Sequence, residues 1–286
     1  MTVMIRFSLS LLIGSVAQGI TMNKLSLFLL LLLCAPTMAA PKAELWDYWQ
    51  AHNSQSTETV THDAWDTFLQ KHLSTRDDVA VLDYSNASAD KKLLDSYLKR
   101  LSQTPVRMLN RDEQRAFWIN LYNALTVRTI LKNYPVDSIR DISSGFLSFG
   151  PWDEKIITIE NTELSLNDIE HRILRPIWQD ARLHYAVNCA SIGCPNLAAH
   201  AFTATNGEAL LEAAAAAYIN HPRGVQIQNG VLHVSSIYDW FKIDFGNDDI
   251  GVIAHLKKYA EPSLFAKLQN ISAIAKYDYD WSLNDK

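Results

Sequence analysis

The sequence predicts an α+β fold: a helical N-terminal layer packed on a small, mainly antiparallel sheet with flanking helices. Three observations predict it. Apolar residues recur at helical spacing through most of 44–133. Residues 225–234 alternate apolar and polar on either side of Asn229-Gly230, the strongest short hairpin signal there is. Residues 182–188 alternate too, with Leu183, Tyr185 and Val187 against His184, Ala186 and Asn188, and read as a central strand. That strand stops in a polar turn holding Cys189, Ser191, Gly193, Cys194 and Pro195.

Residues 1–39 read as a signal peptide. Met22-Asn23-Lys24 precedes a leucine-rich run to Leu33, and Cys34-Ala35-Pro36-Thr37-Met38-Ala39 follows. A basic start, an apolar stretch and a small-residue end define such a segment. Cleavage after Ala39 is preferred, because cleavage after Ala40 puts Pro41 first. The apolar run is shorter than the ~20 residues a membrane span needs. A second apolar patch over 7–16 leaves two options, a start at Met22 or an uncleaved double anchor. Cleavage removes Arg6 and Lys24 from the 26 basic residues and none of the 31 acidic ones, so 24 remain against 31, a net charge of −7. That balance argues against nucleic acid, and against a membrane partner beyond the signal segment. The expected location is secreted or periplasmic. The chain then divides into a helical N-terminal region, 40–104, and an α+β core, 105–286, long enough to bury one large core.

The elements follow in order. Residues 44–52 carry Leu45, Trp46, Tyr48 and Trp49 at helical spacing, and 64–73 repeat the pattern with Trp65, Phe68, Leu69 and Leu73 after Thr61 and Asp63 as start signals. Residues 79–84 read as a short strand, and 89–101 as a helix with Leu93, Leu94, Tyr97 and Leu101 on one stripe. The longest helix spans Arg111–Asn133 and ends before Tyr134-Pro135. It is apolar nearly all round, which predicts burial, and Asn120 and Asn123 lie on one face inside it. Buried amides must be hydrogen-bonded, so these two either fix packing or orient a catalytic group. Residues 136–154 read as an irregular loop. Residues 155–160 and 163–165 read as strands around Asn161, and 166–178 as a helix capped by Ser165 or Asn167. Five consecutive alanines, 213–217, mark a close-packed helix over 207–220. Residues 248–259 and 262–268 read as helices, and 277–281 as an extended segment laid on the domain.

The cysteine turn is the expected site. A nucleophilic cysteine needs a lowered pKa, commonly from an imidazole. For Cys189 the expected base is His171, since His184, five residues away on an alternating strand, points to the other face. Glu170, Asn120 or Asn123 would orient that imidazole as in a Cys-His-Asn site. Asn188, Ser191, Arg175, His184 and Trp240 are the expected binding residues. Two further readings of the cysteines stay open: a disulfide in an oxidising compartment, or a Cys2His2 metal set with His171 and His184. The histidine spacing matches no zinc signature and H-E-x-x-H is absent, so no metal and no cofactor is assigned.

Four separated motifs resemble a known family. They are Phe117-Trp118-Ile119-Asn120-Leu121-Tyr122-Asn123-Ala124, Leu164-Ser165-Leu166-Asn167-Asp168-Ile169-Glu170-His171 with Leu174-Arg175, His184-Tyr185-Ala186-Val187-Asn188-Cys189-Ala190-Ser191 with Cys194-Pro195, and Trp240 with Asp244-Phe245. In this order, over roughly 105–245, they resemble the domain of unknown function 547 family. The resemblance implies a domain of secreted bacterial proteins, found also in plant proteins behind a coiled coil. It further implies that Cys189 matters for itself, because the position of Cys194 is often serine in the plant members. No settled reaction comes with it. Two functions are expected: a secreted cysteine-dependent hydrolase or acyl transferase on a peptide, amide or thioester bond, or a non-catalytic envelope module with a disulfide between Cys189 and Cys194. Its ligand would be an unknown small molecule or peptide.

Overall fold

The computed structural model describes residues 41–142 and 150–286. The expected signal peptide and part of the 136–154 loop lie outside the described residues. Arg111–Asn133 is α3, the axis of the larger hydrophobic core. Asn110 starts it, its side chain accepting from Glu113 N–H, as an N-cap should. Two earlier helices, α1 (Asp63–His72) and α2 (Lys91–Leu101), pack with each other, and α2 lies against α3. The helical layer therefore rests on the long helix. Between α1 and α2 runs a hairpin of β1 (Leu73–Arg76) and β2 (Val79–Leu82).

Three two-residue hairpins share one solution. β1–β2 turns at Asp77-Asp78, β3 (Ile157–Ile159) and β4 (Thr162–Leu164) turn at Glu160-Asn161, and β5 (Val225–Gln228) and β6 (Val231–Ser235) turn at Asn229-Gly230. Both residues of each turn have positive φ, which matches the twist of the flanking strands. β7 (Lys276–Asp278) then pairs in parallel with β6. The apolar face of this three-stranded sheet, with Val225, Leu232 and Val234, joins α4 (Gly207–Ile219) and α5 (Asp249–Tyr259) in a second hydrophobic core. The fold is α+β, as the sequence predicts.

The stretch 182–188 is not a strand. Ala181–Tyr185 is a short 3-10 turn that starts with the Asp180 side chain accepting from Arg182 N–H. Residues 183–188 are all buried. Leu183, Ala186 and Val187 enter the larger core, while Tyr185 enters the second. A segment wedged between two cores hides every side chain, so its alternation carried no information about a solvent face.

The expected helix 166–178 is there, but wound wide. Asp168–Leu174 is π-helical and continues into α-helical Arg175–Trp178. Pro176 has no N–H for the Arg172 carbonyl, and Arg175 N–H reaches Glu170 instead of His171. The two freed carbonyls, of His171 and Arg172, accept from Glu44 N–H at 2.9 Å and Trp46 N–H at 3.0 Å. This holds residues 44–46 extended and leaves only Asp47–Gln50 as a single 3-10 turn where 44–52 suggested a helix.

Candidate functional site

Two side-chain clusters contain the expected site residues, and the structure keeps them apart. The first surrounds the sulfurs. It begins on α3, where Asn123 Nδ2 donates to Ala186 O at 2.8 Å and its Oδ1 accepts from Asn188 N–H at 2.9 Å. Asn188 in turn donates from Nδ2 to Pro195 O and accepts at Oδ1 from Ala190 N–H, both at 2.8 Å. One helix thus fixes the approach to the turn and both of its ends. Ala190, next to Cys189, is held at φ 62°, a left-handed conformation that costs a non-glycine residue energy and clusters at functional sites.

Cys189 and Cys194 are both free thiols, so the disulfide weighed from the sequence is not formed. Cys189 N–H donates to Cys194 Sγ at 2.9 Å. Tyr279 Oη lies 3.2 Å from Cys189 Sγ and donates to Cys194 Sγ at 3.1 Å, and Ser191 Oγ lies 3.3 Å from Cys189 Sγ. Burial pushes the Cys194 thiol up, but these hydrogen bonds, with that of the Cys189 thiol, outweigh it and hold the pKa below the ordinary value. The Cys189 thiol, donor to that sulfur and desolvated, is raised. The two thiols titrate as a coupled pair, Cys194 drawn down and Cys189 pushed up. Sequence reasoning had the sulfurs but missed Tyr279, 85 residues beyond Cys194.

The segment after β7 brings Tyr279 there. Gly193 N–H donates to Asp280 O and Ile192 N–H to Ser282 O, both at 2.8 Å, and Asn284 N–H donates to Ala190 O at 3.1 Å. Only glycine fits at 193, because a Cβ would sit 2.8 Å from the backbone N and O of Asp280. Trp240, an expected binding residue, packs tilted against Tyr279 at 4.8 Å and Trp281 at 5.5 Å. It supports the phenol rather than touching a sulfur.

The second cluster is ionic. Asp244 Oδ2 accepts from Arg175 Nε and His184 Nε2, both at 2.7 Å. Arg175 Nη1 lies 3.0 Å from His171 Nδ1, and Glu170 Oε1 lies 3.7 Å from His184 Nδ1. Phe241 stacks on His184 at 4.1 Å. Burial lowers the His171 pKa and favours the neutral ring that accepts from Arg175. Burial also raises the Asp244 carboxyl, but the His184 and Arg175 hydrogen bonds prevail and bring it down to about 2. This corrects the expected site. Among the described residues no histidine hydrogen-bonds the Cys189 sulfur. His171 and Glu170 serve the Arg175–Asp244 network, because the wide turn aims them there. The Cys2His2 set is divided between the two clusters for the same reason. Asn120 is a packing residue, donating to Phe202 O at 2.7 Å and accepting from its N–H at 3.0 Å.

The family model described as "Protein of unknown function, DUF547" matches residues 106–219. This stretch is a DUF547 domain. It holds α3, the wide turn, the cysteine turn and α4. Tyr279, Asp244 and Trp240 lie beyond the DUF547 match, although Tyr279 and Asp244 touch residues inside it. No curated protein and no solved structure matches the chain significantly.

A cleft of about 610 Å³ opens beside the sulfur cluster. Its floor is the polar face of the β5–β6–β7 sheet, with Gln226, His233 and Asp278. Gly193 of the turn, Arg223 and Tyr279 form its walls, so Tyr279 faces both cleft and sulfurs. Among the described residues no group of three or more His, Cys, Asp or Glu is arranged to hold a metal ion.

Proposed function

We propose that this protein is an exported cysteine-dependent hydrolase or acyl transferase acting on a peptide, amide or thioester bond. Cys189 is the nucleophile, and Cys194 does the work first expected of His171. One observation carries this reading: the Cys194 sulfur accepts from Cys189 N–H at 2.9 Å and from the Tyr279 hydroxyl at 3.1 Å while the partner sulfur lies beside it. The anionic Cys194 takes the Cys189 proton, and the Cys189 sulfur attacks the acyl carbon. The leaving group departs with that proton, returned from Cys194, and leaves a thioester. Water or an acceptor nucleophile then attacks the thioester, its proton passing to the sulfur pair. Cys189 is half-buried, and Gly193 and Tyr279, which adjoin the sulfur pair, line the cleft; this supports access. The signal-like 1–39 supports export.

The test is alkylation by iodoacetamide across pH, read by mass spectrometry at each cysteine. The reading expects a first midpoint below the ordinary ~8.5 of a free thiol, modification at Cys189, and an upward shift in Cys194→Ser. A midpoint at or above that value sinks it.

A second reading rests on the closing segment, whose ladder and Tyr279 ring cover the turn. In it the protein is a non-catalytic envelope module whose cysteines close to a disulfide on export. Complete loss of both free thiols in protein recovered from the medium or periplasm favours it and removes the nucleophile.

A further inference from the structure

Arg223 stands in the cleft without a carboxylate partner, the Cys194 sulfur and the Tyr218 and Tyr279 phenols being the groups that favour its charge. Nη1 donates to Ile192 O at 3.2 Å and Nη2 to Asn196 Oδ1 at 2.5 Å, both neutral oxygens. Its Nε is buried without a hydrogen-bond partner. Other arginines near the site are paired with acids: Arg175 with Asp244, and Arg182 with Asp180, Glu208 and Glu212. Arg223 makes no salt bridge with any described residue, although Asp278 and Asp280 line the same cleft. Both of those carboxylates are engaged elsewhere. Asp278 pairs with Lys276 Nζ at 2.8 Å, and Asp280 accepts from the Ser282 N–H at 2.9 Å and hydroxyl at 2.6 Å.

A guanidinium offers five N–H donors in a planar fork, of which two are used here. The fork matches a carboxylate's two oxygens. A dianion such as phosphate would sit badly in a cleft that also carries two aspartates. The two bonds that Arg223 does make, with the ring of Tyr218 beneath it at 5.5 Å and Tyr218 Oη donating to Gly193 O at 2.6 Å, hold it against the cysteine turn. A group bound by Arg223 is therefore bound next to Ile192 and Gly193, within the cleft that shares Tyr279 with the sulfur cluster.

We infer that Arg223 is a carboxylate-binding subsite, so that the cleft selects substrates carrying a free carboxylate near the scissile acyl bond. This rests on the thiol reading above, which makes the cleft the substrate site. The class is a short acylated peptide or amino acid with a free C-terminal end.

The experiment uses the full chain with Cys189→Ser, so that turnover contributes nothing. Binding of N-acetylglycylglycine and of its C-terminal amide is measured by calorimetry and by tryptophan fluorescence, since Trp281 lines the cleft. The acid is expected to bind at least about tenfold tighter than the amide, the scale of one charge-assisted bond. Arg223→Gln should reduce that preference below about threefold, and Arg223→Lys should keep part of it. Equal binding of acid and amide, or no binding of either, overturns the subsite without reference to any Arg223 variant, so a variant that fails to fold does not protect it. Full preference retained in folded Arg223→Gln also overturns it. Carboxylate preference with an ordinary thiol midpoint sinks the enzyme reading and leaves the subsite standing. A lowered midpoint without carboxylate preference does the opposite.

Discussion

Replacing Asn123 by alanine should destabilise the protein by about 3 kcal/mol and disarm the thiols together. The side chain makes two buried hydrogen bonds, to Ala186 O and from Asn188 N–H. Removing the amide leaves each buried backbone group unpaired at a cost of about 1–3 kcal/mol where no water replaces it. Partial relaxation keeps the sum near the lower end. Against a typical stability of about 5–15 kcal/mol the variant stays folded at 25 °C. Urea unfolding of Asn123→Ala, read as a shift in midpoint at constant slope, measures the first effect. Alkylation across pH measures the second, because Asn188 positions Ala190 and Pro195 at both ends of the turn. Asn120→Ala is the control. It also breaks two buried amide bonds, but to Phe202, beyond the turn. It should lose similar stability and leave the thiol midpoint where it was. If both variants shift the midpoint equally, or Asn123→Ala costs under about 1 kcal/mol, the claim that α3 positions the sulfurs is refuted.

Tyr279→Phe removes a hydroxyl that donates to Cys194 and contacts Cys189 and Ser191. Loss of a donor to the Cys194 sulfur raises the first thiol midpoint, so alkylation at pH 7 should slow several-fold with little change in unfolding; an unchanged rate counts against the coupled thiol pair. Acid should weaken the fold in two windows. His62 and His255 are each lowered to about 4, by burial first and then by Arg100 and Lys258 respectively. The unfolded chain protonates them first, so stability falls as pH drops from about 6.5 towards 4. Asp244 sits at about 2 in the fold, and its contribution is present above about pH 4 and lost as pH falls through 2. Urea midpoints from pH 7 to about pH 1.5 check both windows. A flat profile to pH 4.5 refutes the first, and Asp244→Asn should flatten the second alone.

Local chemistry was legible in the sequence. Asn229-Gly230 fixes its hairpin through two positive-φ residues, and the bounds of α3 follow from its apolar period and the proline after it. The wide turn at Asp168–Leu174 was half legible, since Pro176 forbids one α-helical bond, but which carbonyls Glu44 and Trp46 would take is a tertiary fact. Residues 182–188 misled because alternation reports a solvent face only where one exists. Of the site, both cysteines, Ser191 and the amides were visible as residue types. His171 was misassigned because its nearest partner, Arg175, sits one turn along the same helix. Tyr279 carried no local signal, since its role arises only when the chain returns to the turn from β7.

The ladder between residues 190–193 and 280–284 also sets a schedule. When Cys189 and Cys194 emerge during synthesis, the phenol that donates to Cys194 has not been made. Until some eighty-five further residues are translated the thiols meet the environment uncapped, open to oxidants and to foldases alike. The reactivity argued for above thus belongs to the finished molecule and never to the nascent chain.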